Sequence, residues 1–82
     1  MGVSGVVRID ARGMRCPWPA MRLARALRDG ADRVAVMADD PAAPAEIAAV
    51  AAAAGAEVSI IPDPIAPTFV VTRTPDGNIV FT

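Results

Sequence analysis

The side chain with the clearest chemical potential is that of Cys16, the only cysteine among 82 residues. It lies in the run Gly13-Met14-Arg15-Cys16-Pro17-Trp18-Pro19. Proline is favoured in the first turn of a helix and disfavours an α conformation in the residue before it, so the sequence predicts Cys16 at a helix N-cap. The positive end of a helix, with Arg12 and Arg15 nearby, favours a thiolate. We therefore expect the pKa of Cys16 to lie well below that of a free thiol, which would make the side chain a nucleophile.

The start of this helix is set by three residues around the cysteine. Gly13 supplies the preceding turn, and Pro17 and Pro19 restrict the backbone of the first helical turn. Because neither proline has an amide hydrogen, the free amides nearest the sulfur are predicted to be those of Trp18 and Ala20. The sequence thus predicts a site that stabilises an anion with few donors.

The residue types that are missing narrow the possible chemistry. The chain contains no histidine and no lysine, which excludes Cys-His hydrolysis, Schiff-base chemistry and a P-loop. One cysteine without histidine cannot build a zinc site, so no metal is expected. Acid–base work would fall to carboxylates, of which Asp10, Asp39 and Asp40 lie at the ends of the first two predicted strands, near the cysteine. A thiol that accepts a group and passes it on needs only its sulfur and a docking surface, so the composition favours a carrier over a multistep enzyme.

Charge and hydropathy bear on partners and compartment. With a net charge of −1 and a pI near 5.1, the protein has no overall positive electrostatic field that would attract nucleic acid directly. The apolar run at 47–54 is too short to span a bilayer, and nothing at the N-terminus resembles a signal peptide. With a lone cysteine, these features predict a cytoplasmic protein without membrane contact.

Hydrophobic periodicity divides the chain into six elements. Period-two alternation predicts strands at 5–10, 33–39, 57–61 and 68–73. Helical spacing predicts one helix from Pro17 to Arg28, ended by Gly30, and a second that starts at 41 or 44 and ends before Gly55. In the third strand Val58 and Ile60 are expected to point inward.

This order predicts the fold class. A β-α-β-α-β-β chain with right-handed crossovers forms an α/β (α+β) two-layer sandwich, with a mixed four-stranded sheet and both helices on one face. We expect a single domain over 1–82 with its core at 5–74. Residues 75–82 are predicted to form a turn and an extra C-terminal strand. Cys16 then falls at the carboxyl end of the first strand, where open α/β sheets usually carry their chemistry.

Two motifs carry a resemblance to a known family. The runs Asp10-Ala11-Arg12-Gly13-Met14-Arg15-Cys16-Pro17-Trp18-Pro19 and Ala38-Asp39-Asp40-Pro41-Ala42 resemble those of TusA/SirA-like sulfur-carrier proteins, the first being a Cys-Pro-x-Pro signature. The resemblance runs over 7–73. It implies a sulfurtransferase-type carrier whose Cys16 accepts a persulfide sulfur from a cysteine desulfurase or a rhodanese-like donor. The acceptor protein would serve tRNA thiolation, cofactor synthesis or sulfur metabolism, with a cysteine persulfide as the covalent intermediate and no other cofactor.

Contacts with partners are expected around the cysteine. By the resemblance, Arg73 near the end of the fourth strand matches a basic position near the active face. Trp18 stands where tRNA-thiolation members carry glutamate, and an exposed Trp there would be an interface anchor. It could instead fold back over Met21 or Met14. The residues predicted to contact a partner or the persulfide are Arg12, Arg15, Trp18, Arg25 and Arg73.

Several assignments stay open at this point. Asp39 and Asp40 are either caps of the second helix or participants in chemistry. The helix arginines form either a docking patch or a solvated face; they are Arg22, Arg25 and Arg28. The alternative to a sulfur carrier is a regulatory or redox-sensing interaction module without sulfur transfer.

Overall fold

The computed structural model describes residues 6–73. Its elements are β1 (Val6–Asp10), α1 (Trp18–Arg28), β2 (Arg33–Met37), α2 (Ala43–Ala53), β3 (Ala56–Ile61) and β4 (Thr68–Arg73). The predicted order β-α-β-α-β-β is confirmed. The extra strand expected within 75–82 lies outside the described residues.

The four strands form one mixed sheet in the order β1-β2-β4-β3. β1 and β2 are parallel, and β4 is antiparallel to both of its neighbours, β2 and β3. Asp10 is opposite Met37, and Met37 is opposite Thr68. The last residues of β1, β2 and β3 therefore share one edge of the sheet with the first residue of β4. We call this the carboxyl edge, and the opposite edge, where β4 ends, the amino edge.

Both helices cover one face of the sheet, as predicted, because the elements share one buried cluster. Alternate residues of the two central strands point into it, including Val36 and Phe69, and the apolar stripes of the helices supply Leu23 and Ile47. Phe69, Leu23 and Ile47 are the largest fully buried side chains. The second face of the sheet carries no helix of the described chain, so the architecture has two layers.

Some local details differ from the sequence-based expectations. α2 begins at Ala43, next to the later of its two predicted starts, and β2 ends at Met37 instead of Asp39. Val58 packs against the core as expected, but Ile60 is 57% exposed. Ile60 lies opposite Phe69 and therefore faces the helix side of the sheet as predicted. It stays exposed because β3 is the outermost strand and no further strand lies beside it.

Candidate functional site

The connection between β1 and α1 is fixed to the sheet at its first residue. The Ala11 amide donates to the Met37 carbonyl oxygen at 2.8 Å, and the Met14 amide donates to the Ala11 carbonyl oxygen at 3.1 Å. Ala11 is fully buried. Gly13 has φ +81°, a conformation that other residues adopt only with strain. These contacts turn the chain sharply at the carboxyl edge and bring Cys16 to it.

Cys16 lies just outside α1, not at its N-cap. The N-cap is Pro17, whose carbonyl oxygen accepts the first helical hydrogen bond from Met21 at 2.9 Å. The Trp18 amide, expected to be free, donates to the Arg15 carbonyl oxygen at 2.9 Å. The cysteine is therefore one residue further from the helix, and one of the two predicted free donors is already occupied.

The environment of the thiol is acidic. Cys16 is half-buried, and burial raises the pKa of its thiol above the ordinary value. The Glu46 side chain, close enough to accept a hydrogen bond, raises this pKa further, and so do the negative charges of Glu46 and Asp40. The sequence-based expectation of a lowered pKa is wrong, because the thiol is partly buried and because carboxylates of α2 and of the second motif lie near the sulfur.

Arg12 does not supply the expected positive field. Its Nε and one terminal nitrogen donate to the two carboxylate oxygens of Asp10, both at 2.8 Å. The side-chain hydrogen bonds from Arg12 hold the pKa of Asp10 at about 2. Because this bidentate pair compensates the guanidinium charge locally, Arg12 contributes little to the thiol.

A pH profile of alkylation tests this corrected environment. Since the thiol, not the thiolate, is favoured, the rate of Cys16 modification by iodoacetamide should keep rising with pH beyond the midpoint of a model cysteine peptide. Glu46→Gln should shift the midpoint downward, whereas Glu57→Gln, which removes an exposed carboxylate from β3, should leave it unchanged. A midpoint below that of the model peptide would contradict the acidic environment.

Two aspartates of the β2–α2 connection bind the cysteine loop. Asp39 Oδ1 accepts the Gly13 amide at 2.9 Å, and Asp40 Oδ2 accepts the Cys16 amide at 3.1 Å. Neither caps α2, whose N-cap is Ala42 without a side-chain hydrogen bond. The sequence predicted either capping or chemistry for these aspartates. The role observed, holding the backbone of the cysteine loop, is neither of the two. The only sequence signal for it was the position of both aspartates at the end of a strand parallel to β1.

Trp18 lies on the surface beside a groove between α1 and β1. The Trp18 side chain is 57% exposed, so it does not fold back over Met14, which packs against the core instead. The groove has a volume of about 870 Å³, and its lining includes Val7, Trp18 and Met21. Three helix arginines line it as well: Arg22, Arg25 and Arg28. Within residues 6–73 the ion pair formed is Arg12–Asp10, so these helix arginines have no carboxylate partner in that range.

Arg73 lies at the other end of the molecule. Its amide donates to the Asp32 carbonyl oxygen at 2.8 Å, and its guanidinium donates to the Leu27 carbonyl oxygen at the end of α1. The expectation that Arg73 lies near the active face is wrong, because β4 runs antiparallel to β2 and ends at the amino edge. The length of β4, about 16 Å from the rise per residue, separates Arg73 from the carboxyl edge.

Two further observations concern metals and membranes. Among the residues described, histidine, cysteine and carboxylate side chains form no group that could hold a metal ion. Neither helix in that part of the chain has the length and apolar character needed to cross a bilayer.

The fold and the site define a small two-layer α+β protein with one half-buried cysteine at the carboxyl edge of a mixed sheet. The family model for the sulfurtransferase TusA matches residues 7–73. The chain therefore belongs to the TusA sulfurtransferase family, and this membership indicates a role in sulfur transfer with protein partners.

A solved structure has the same fold. The crystal structure of a SirA-like protein from Desulfitobacterium hafniense matches with a TM-score of 0.72 and 24% sequence identity. The match covers 80% of this chain and 95% of that one. No curated protein matches the chain. The structural likeness thus supports the α+β architecture, and the family assignment rests on the family model.

Proposed function

We propose that this protein is a persulfide carrier that accepts sulfur on Cys16 from a cysteine desulfurase or a rhodanese-like donor and relays it to an acceptor protein. The observation that carries the proposal is the position of Cys16. It lies half-buried at the carboxyl edge, in a loop bound by two carboxylates, in a chain of the TusA family. A chain without histidine or lysine has few other groups for covalent chemistry.

The proposed transfer is an exchange between sulfur atoms. The Cys16 sulfur, as a thiolate, attacks the terminal sulfur of the donor's persulfide. A new S–S bond forms on Cys16, the donor's S–S bond breaks, and the proton lost by Cys16 goes to the donor's departing thiolate. The products are a Cys16 persulfide and a donor thiol, so there is no net oxidation. No cofactor is needed, and the same exchange in the opposite sense delivers sulfur to the acceptor.

The surroundings of Cys16 favour this function over redox sensing. Redox-sensor cysteines have a low pKa, are accessible, and often have a second cysteine to form a disulfide. Here burial and carboxylates raise the thiol pKa, and the sequence has no second cysteine. We expect such a thiol to react slowly with peroxide and to react with sulfur mainly in a complex that holds the donor persulfide against it.

The test of the proposal is a loading experiment. The protein is incubated with a cysteine desulfurase and cysteine, or with a rhodanese and thiosulfate, and its intact mass is measured. We expect one added sulfur atom that dithiothreitol removes. Absence of the added sulfur with both donors, while a known carrier is loaded in parallel, would refute the proposal.

The acceptor and compartment are part of the same proposal. The carrier would deliver sulfur to a protein of tRNA thiolation, cofactor synthesis or another branch of sulfur metabolism. We expect this relay in the cytoplasm, because in a reducing compartment a lone cysteine stays in the free thiol form that can accept sulfur and is not lost to disulfide formation.

The groove between α1 and β1 is the surface on which we expect partners to dock. It begins at Trp18, two residues after Cys16, and extends to Asp29 and Asp32 at the amino edge. It combines an exposed indole with arginines that form no ion pair within residues 6–73. Aromatic and arginine side chains are enriched among interface residues that contribute most to binding. We therefore expect a partner surface with apolar and acidic side chains.

Docking through this groove leads to a mutational prediction. Trp18→Ala and Arg25→Glu should each slow sulfur loading at subsaturating desulfurase by about tenfold or more, the loss typical of an interface anchor. Added salt should also slow loading of the wild type. The controls are Ile61→Ala and Arg33→Glu, which change an exposed apolar residue and an exposed arginine outside the groove. Loading of Trp18→Ala and Arg25→Glu at the rates of these controls would exclude the groove as the docking surface.

A further inference from the structure

The backbone of the cysteine loop is held by side chains distant in sequence. Asp40 is 24 residues from Cys16, and Asp39 is 26 residues from Gly13, yet each accepts a backbone amide hydrogen bond there. The bond from Cys16 is partly buried. Hydrogen bonds from amides to carboxylates are stronger than those between neutral groups, and burial protects them from competing water.

These contacts are not by-products of another structural role. The N-cap of α2 has no side-chain hydrogen bond, and the Asp40 carbonyl oxygen, not its carboxylate, accepts the Ala43 amide at 2.9 Å. Within residues 6–73 neither aspartate forms an ion pair. In that range, their side-chain hydrogen bonds go to the loop that carries the cysteine.

We propose that Asp40 is a positioning residue for Cys16: its Oδ2 atom holds the Cys16 amide, and thereby the sulfur, in the geometry from which sulfur is transferred. Asp39 supports the same loop at Gly13. The inference rests on the proposed carrier function of Cys16 and adds to it the residue that orients the nucleophile. Alignment of the attacking sulfur with the donor's S–S bond is the step that this contact favours.

Asp40 has two effects on Cys16 that act in opposite directions. As an acceptor it orders the loop and favours transfer. As a negative charge, Asp40, together with Glu46, disfavours ionisation of the thiol. Two positive charges lie nearby: Arg12, which is paired with Asp10, and the exposed Arg15, which precedes the cysteine in sequence. A substitution that keeps the acceptor and removes the charge therefore separates positioning from electrostatics.

The experiment compares Asp40→Asn with Asp40→Ala. The asparagine carbonyl oxygen can still accept the Cys16 amide, whereas alanine cannot. Both variants should lower the midpoint of the Cys16 alkylation profile. Asp40→Asn should load with sulfur at the wild-type rate or faster. Asp40→Ala should load about tenfold more slowly, the factor expected for loss of one hydrogen bond that is fully formed during transfer. Glu57→Gln, which removes an exposed carboxylate of β3 outside the groove, is the control.

A second readout does not depend on sulfur transfer. Amide hydrogen exchange at Cys16, followed by NMR, should remain slow in Asp40→Asn and become faster in Asp40→Ala. If Asp40→Ala loses cooperative unfolding, Asp40→Ser takes its place, because the serine hydroxyl oxygen is one bond nearer the backbone than Asp40 Oδ2, which accepts the Cys16 amide at 3.1 Å.

The outcomes separate the two proposals. Equal loading of the asparagine and alanine variants, or equal exchange at Cys16 in both, would overturn the positioning role. Failure of the wild type to take up sulfur would refute the carrier function alone, because hydrogen exchange would still report whether Asp40 holds the Cys16 amide.

Discussion

Cys16→Ser should abolish sulfur loading while leaving the fold intact. A serine hydroxyl is nearly isosteric with the thiol, but it cannot carry a persulfide, so no added sulfur should appear on the intact protein after incubation with desulfurase and cysteine. Cys16 is half-buried and outside the core cluster. We therefore expect the free energy of unfolding to change by about 0.5 kcal/mol or less.

The control for this result is binding. Because the groove between α1 and β1 is unaltered, Cys16→Ser should bind the desulfurase with the affinity of the wild type in a pull-down or by calorimetry. Retained sulfur uptake by the serine variant would assign the chemistry to another group. Loss of cooperative unfolding would instead identify the cysteine as a structural residue.

Phe69→Ala should have the largest effect on stability, lowering the free energy of unfolding by about 3–5 kcal/mol. Phe69 is 1% exposed and is the largest fully buried side chain. It lies on the central strand β4, opposite Val36 on one side and Ile60 on the other. Domains have a total stability of about 5–15 kcal/mol, so this substitution should remove a large part of it and lower the thermal midpoint clearly.

Urea denaturation measures this effect, with Ile65→Ala as the control. Ile65 is 76% exposed in the β3–β4 connection, so its truncation should change the free energy of unfolding by about 0.5 kcal/mol or less. Equal midpoints for Phe69→Ala and Ile65→Ala would show that the helices do not pack on β4 in solution.

The secondary structure and layer arrangement followed from local patterns. Helical spacing and strand alternation are both patterns of residues close together in sequence. They correctly placed Leu23 and Leu27 of α1, and Val34 and Val36 of β2, in the same buried core. Right-handed connections then place both helices on one face. Proline positions left the helix starts less certain, since one or two residues decide whether Cys16 or Pro17 is the N-cap.

The position of Cys16 was likewise predictable, but its reactivity was not. A cysteine after the first strand and before a helix falls at the carboxyl edge whatever the remaining strand order is. Its pKa is raised first by burial and then by Glu46 and Asp40, which α2 and the β2–α2 connection bring to it. Counting the nearby arginines predicted the wrong direction, because Arg12 turns to Asp10, two residues away.

The sequence by itself determined the elements, the single nucleophile and the absence of histidine and lysine around it. The tertiary structure alone decided which charges face the thiol, which carboxylates hold its loop, and that Arg73 lies at the opposite edge. The physical reason is the distance along the chain between the residues that interact. Periodicity is a property of neighbouring residues, whereas the field at Cys16 comes from groups 24 to 30 positions away along the chain that only strand pairing and helix packing bring together.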